Sequence, residues 1–162
     1  AGRKAPEAET LSWFQAAIAA LEENRRLHPG DIRVHLAEAQ LDQFGAELTK
    51  NPRWYMAAEA TLTEALALSP DRQQIQYVLA GFKQIVGKPE EAIALLRESI
   101  DNDPKVPEGG WRLALMYDGL GRRGEAAAVV AEADRAGIVF PDSINPTIDA
   151  IRSADKSGTT RK

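Results

Sequence analysis

The chain has 162 residues, 44% hydrophobic and 27% charged, the composition of an ordinary soluble protein with enough length to bury one core without staples. Twenty basic residues against 24 acidic ones leave a net charge of −4 with no block of one sign, which argues against a nucleic-acid surface, since that needs a basic stripe. Cysteine is absent, which excludes disulfide and thiolate chemistry, and no apolar run approaches the ~20 residues needed to span a bilayer.

Residues 1–9 carry no apolar period and are expected to form a flexible lead-in. From 10 to 27 the pattern turns helical, with Leu11, Phe14, Ala17, Ile18 and Leu21 on one face. His28-Pro29-Gly30-Asp31 stops this helix and caps the next. Residues 31–50 read as one long helix with Ile32, Val34, Leu36, Ala39, Leu41, Phe44 and Leu48 as its apolar set. Asn51-Pro52 breaks it, and 53–68 follows with Tyr55, Ala58, Leu62, Ala65 and Leu66 turned inward.

The next stretch repeats itself. Asp71 is placed to cap a helix, with Gln74 as the reciprocal partner of a capping box. Ile75, Val78, Leu79, Phe82 and Val86 make one apolar stripe, and Gly87 suits the position just past the helix end. Pro89 suits the first turn of a second helix, Ala92, Ile93, Leu96 and Ile100 form its stripe, and Pro104 ends it. At an offset of 34, Leu79-Ala80 meets Leu113-Ala114, Gly87 meets Gly121, Glu91-Ala92 meets Glu125-Ala126, and Pro70 meets Pro104. A fixed period of this size signals stacked helical hairpins, and the small Ala80 and Ala92 let paired helices approach closely. Residues 137–141 then read as an extended connector. Asn145-Pro146 starts a last helix with Ile144, Ile148 and Ile151 on one side, and 155–162 reads as a flexible tail.

Leu-Ala, Gly, Glu-Ala and Pro at these spacings resemble the tetratricopeptide (TPR) repeat, a helix–turn–helix unit. Residues 73–106 match it best, and 107–138 match through Leu113, Ala114, Tyr117, Gly121, Ala126 and Ala133. Ile138 stands where the pattern has its closing proline, so the array is expected to end there. Pro29 and Pro70 are 41 apart, or 34 + 7, an insertion of about two helical turns that roughly preserves the faces. The resemblance implies an all-α fold, a TPR-like α-solenoid of about seven antiparallel helices plus a short C-terminal capping helix. Its parts are a half repeat at 10–28, an extended repeat at 31–70, repeats at 71–104 and 105–138, and a capping helix at 143–154, together one domain over 10–154.

No catalytic, cofactor or metal site is expected. His28 and His35 lie across a Pro-Gly break and read as surface or edge residues, short of the ligand set a metal needs. The pairs Glu22-Glu23 and Glu90-Glu91 are adjacent on helices, where neighbours diverge, and Gly109-Gly110 lacks the Lys-Ser/Thr of a phosphate loop. The chain is therefore not read as an enzyme. In TPR superhelices, the face of each first helix turned from its partner lines a concave groove. The resemblance places there Arg33, Leu36, Gln40 and Gln43, then Gln74, Tyr77, Gly81 and Gln84, then Glu108, Trp111, Leu115 and Asp118. Aromatic residues flanked by amides and carboxylates suit a protein or peptide partner, with Tyr77 and Trp111 either as anchors or as packing between repeats. The set lacks the Lys/Asn pairing by which chaperone-binding TPRs hold a C-terminal carboxylate, and only Arg112 stands near such a role. Nucleic acid and direct membrane insertion are not expected; self-association is left open.

A narrower likeness concerns residues 68–75 and 106–114, which are similar to the TPR tail of O-antigen ligase-like and polymerase-like bacterial membrane proteins. It implies a non-catalytic interaction scaffold, the soluble module of a larger membrane protein on either face of the membrane, with the chemistry elsewhere. The lack of an initiator Met agrees with such an excised segment. The alternatives are a free-standing adaptor, cytoplasmic or periplasmic, and the regulatory domain of an unrelated enzyme.

Overall fold

The computed structural model describes the backbone of residues 8–158 and the side chains of residues 8–153. Among the described residues there are eight helices and no strand: α1 (Ala8–Leu27), α2 (Ile32–Thr49), α3 (Arg53–Leu68), α4 (Gln73–Ile85), α5 (Pro89–Asn102), α6 (Pro107–Gly119), α7 (Arg123–Arg135) and α8 (Asn145–Gly158). The all-α architecture is the expected one. Of the lead-in expected at 1–9, residues 1–7 lie outside the described residues, and Ala8 and Glu9 already belong to α1. Of the expected tail, 159–162 lie outside them, whereas α8 keeps helical backbone through Gly158. The chain divides into two compact units, Ala1–Lys88 and Pro89–Lys162, with the boundary between the two helices of the repeat expected at 71–104.

In the first unit α2 packs against α1 and α3, and α3 packs against α4. Asp31 caps α2 by accepting the Arg33 N–H at 3.0 Å, as the sequence suggested. The core is built around Ala39, Ala58, Leu62, Ala65, Ile75 and Leu79, half of them alanines that let the helix backbones close up. Gly45 extends this logic, since a Cβ there would collide with the Phe14 ring and meet Trp54 Cδ2 at 3.2 Å. Phe14 stands edge-on to Trp54 at 5.0 Å and so takes the central place in the aromatic group. Phe44, expected inward, is instead exposed at its rim, 6.2 Å from Phe14.

The Asp71/Gln74 capping box is not formed. The chain turns helical only at Gln73, which makes Arg72 the N-cap and leaves Asp71 one residue too early, without a side-chain cap bond. The other end of α4 follows expectation. Gly87 adopts φ 81°, its N–H bonds Gln84 O at 3.1 Å, and Lys88 N–H bonds Lys83 O at 2.7 Å. Gly121 repeats this closure 34 residues later at φ 74°, with Gly121 N–H on Asp118 O and Arg122 N–H on Tyr117 O. The sequence period is thus a period of helix stops.

In the second unit α6 is central, packed against α5, α7 and α8, and α7 also packs on α8. Leu96, Leu113, Ala114, Ala126, Val130 and Ile148 are buried there. The last helix covers the apolar end with Ile148 and Ile151 and turns polar groups outward, as a terminal cap must. Arg152 pins it, reaching Asp134 on α7 with Nε at 3.0 Å and Nη2 at 2.5 Å.

Candidate functional site

Three helices carry the residues singled out for recognition, and burial sorts them. In the first unit Leu36 and Tyr77 are buried at 9% and 6% exposure, so their side chains offer little surface to a ligand. The side chains of Gln40, Gln74 and Gln84 are exposed and make no hydrogen bond among the described residues. Each amide carries both a donor and an acceptor, the complement of a peptide backbone. Gln43 is exposed with a long 3.4 Å contact to Glu47, and Gly81 is half-buried with open space around its Cα. Arg33 is exposed but occupied, its guanidinium held to Asp31 at 2.7 and 3.0 Å. That side-chain pair, with the cap bond, brings the Asp31 carboxyl down to about 2.

In the second unit Glu108, Trp111 and Leu115 are half-buried along α6, and Asp118 is exposed. Asp118 lines a depression of about 280 Å³ with Arg123, Ala150 and Ile151. Glu108 holds Arg112 one turn on, at 2.6 and 2.9 Å, and Arg112 Cζ lies 4.6 Å from the centre of the Trp111 ring. A carboxylate, a guanidinium and an indole are thereby stacked on one helix. Arg112 thus lies against the Trp111 ring, part of whose surface stays open to solvent.

A polar constellation that the sequence reading missed lies on the inner side of α2. His35, Glu38 and Asp42 are all buried, and His35, expected at a surface or edge, is only 2% exposed. Its Nδ1 is 3.1 Å from Asp31 O, one turn back. From α1, Arg25 reaches Glu38 at 2.9 Å and Glu64 of α3 at 2.6 Å, tying three helices together. The Asp42 carboxylate makes no hydrogen bond or ion pair among the described residues. Burial pushes its carboxyl up to about 7, helped by Glu38 and Glu22 and opposed by Arg25. The spacing 35, 38, 42 was the available signal, since it interleaves with the apolar stripe 32, 36, 39 instead of opposing it. Among the described residues no group of three His, Cys, Asp or Glu is placed to hold a metal ion.

Asp42 makes stability depend on pH with a definite sign. An unfolded Asp titrates near 3.9, so between about pH 4 and 7 the folded chain binds more protons, and stability falls as pH rises through that window. Asp42→Asn keeps the shape and removes the charge. It is expected to melt several degrees above the parent at about pH 8 and close to it at about pH 4, by calorimetry or circular dichroism. No gain at the higher pH would show that Asp42 is ionised without penalty.

The fold has counterparts among solved structures. The chain superposes on MamA with TM-score 0.58 at 20% identity, over 76% of this chain and 63% of that one. With TTC0263, a thermophilic TPR protein of Thermus thermophilus, the TM-score is 0.70 at 16% identity, over 88% and 74%. With YrrB, a TPR protein with an unusual peptide-binding site, it is 0.56 at 14% identity, over 76% and 60%. At these identities the likeness is one of fold, and it defines a TPR-like α-solenoid. No family model matches the chain, and no curated protein matches it. Among the described residues no helix is long and apolar enough to cross a membrane.

Proposed function

We propose that the chain is a non-catalytic protein–protein interaction scaffold that takes a peptide segment of a partner on the exposed faces of its first helices. In the second unit the surface is Glu108, Trp111, Leu115 and Asp118 on α6. In the first unit it is the polar strip of Arg33, Gln40 and Gln43 on α2 with Gln74 and Gln84 on α4. The observation that carries this reading is the Trp111 clamp, because an aromatic ring already held by Arg112 loses little freedom on binding. Unpartnered side-chain amides along α2 and α4 support it, and so does the likeness in fold to YrrB, a TPR protein with an unusual peptide-binding site.

The test begins with a random peptide library panned against the full chain, followed by titration of the selected peptides in a calorimeter. Trp111→Ala is expected to weaken binding about tenfold or more with helicity retained, since an anchoring aromatic is typically worth ~2 kcal/mol. A library that yields no peptide, or peptides indifferent to Trp111, Gln40 and Gln74 alike, would overturn the proposal.

The finer reading places this module in a larger bacterial membrane protein of the O-antigen ligase or polymerase type. It rests on the resemblance of residues 68–75 and 106–114. The coding sequence ahead of Ala1 decides it: successive hydrophobic spans of ~20 residues support it, and a start codon next to Ala1 supports a free-standing adaptor.

A further inference from the structure

A cleft of about 120 Å³ opens in the second unit where the end of α5, the start of α6 and the end of α7 meet. It uses none of the α6 residues in the strip described above. Its walls are apolar, with Ile100, Pro104, Val106, Val129 and Ile138 facing the space. Asp101 and Glu132 stand at its rim, both exposed, and neither side-chain carboxylate makes a hydrogen bond or ion pair among the described residues. Arg97 also borders the cleft, but its guanidinium is engaged elsewhere, with Nη2 3.4 Å from the Tyr117 hydroxyl and Cζ 5.9 Å from the ring centre.

The cleft therefore combines an apolar interior with two carboxylates and one guanidinium at its border, a local balance that stays negative because Arg97 is turned toward Tyr117. A cavity of about 150 Å³ lined by aliphatic side chains stays dry and accepts one small apolar group, so this one has room for a single side chain. Carboxylates at the entrance favour a guest with a cation beside that group and disfavour an anionic one. We infer that this cleft is a second docking site, which receives one branched aliphatic side chain from a peptide segment with lysine or arginine next to it. The inference goes beyond the α6 strip and uses different residues, so either can fail without the other.

The probe is the capped tripeptide acetyl-Lys-Leu-Lys-amide, titrated into the full ¹⁵N-labelled chain. Acetyl-Lys-Gly-Lys-amide and acetyl-Glu-Leu-Glu-amide serve as controls. Saturable shifts are expected at the amides of Gly110, Ala133 and Ile138, with both controls at least about fivefold weaker. Ala133→Phe should fill the space and remove the shifts. The double change Asp101→Asn and Glu132→Gln alters only exposed charges, so its fold is not at risk, and it should weaken the Lys-Leu-Lys probe at least about threefold. Three results would overturn the assignment: shifts confined to Trp111 and Leu115, equal binding of the glycine probe, or a double variant that binds as tightly as the parent.

Discussion

Leu96→Ala is expected to cost about 2–5 kcal/mol, measured as a lower urea midpoint at unchanged slope. Leu96 lies on α5 at 1% exposure, and α5 packs against α6, so the truncated side chain leaves a void that neighbouring helices can only partly close. The cost has two parts, the lost transfer of the deleted groups and the residual cavity. Neighbouring Ser99 is fully buried with its hydroxyl on Leu96 O at 2.7 Å, which fixes the local backbone and limits collapse. A loss below about half a kcal/mol would mean that the side chain faces solvent and that the repeat register is wrong.

Gly45→Ala should destabilise the chain by about 1–3 kcal/mol, against the direction of helix propensity. Alanine inside a helix is favoured over glycine by about 1 kcal/mol, so the sequence alone predicts a gain. At Gly45 the new methyl runs into the Phe14 ring, which is 4% exposed and hemmed in by Trp54. Overpacking a buried ring outweighs propensity. Gly81→Ala is the matched control, because no heavy atom lies within 4 Å of its Cβ position. It should gain about 0.5–1 kcal/mol in the same denaturation experiment. Equal and favourable changes at both glycines would show that α1 does not press on α2 at Gly45.

What was legible in the sequence is what repeats. Gly87 and Gly121 announced two helix stops of the same geometry, and the apolar spacings of 92, 93 and 96 or of 75, 79 and 82 marked the buried faces. What was not legible depends on how many sides of a helix are covered. On α4, residues 75, 76, 77, 79, 80 and 82 are all buried, an arc too wide to leave Tyr77 on a free face. The resemblance that placed Tyr77 on the groove face placed Trp111 there as well, and of the two only Trp111 keeps open surface. On α2 the same wide burial takes in polar residues. Glu38 and Asp42 look solvated by residue type, yet one is buried against Arg25 and the other among neighbours of its own charge. Composition could not foresee this, since burying a charge is disfavoured unless a partner from another helix arrives.

The proposed recognition strip and the buried core use different residues, Trp111 half-exposed on α6 and Leu96 buried on α5, so one comparison separates them. The most direct measurement compares Trp111→Ala with Leu96→Ala for both urea stability and affinity for a library-selected peptide, at a temperature where both variants are folded. The expected result is crossed: Trp111→Ala loses about tenfold or more in affinity with the smaller fall in urea midpoint, while Leu96→Ala loses about 2–5 kcal/mol of stability with near-parental affinity. Affinity that falls only in step with stability in both variants would contradict it.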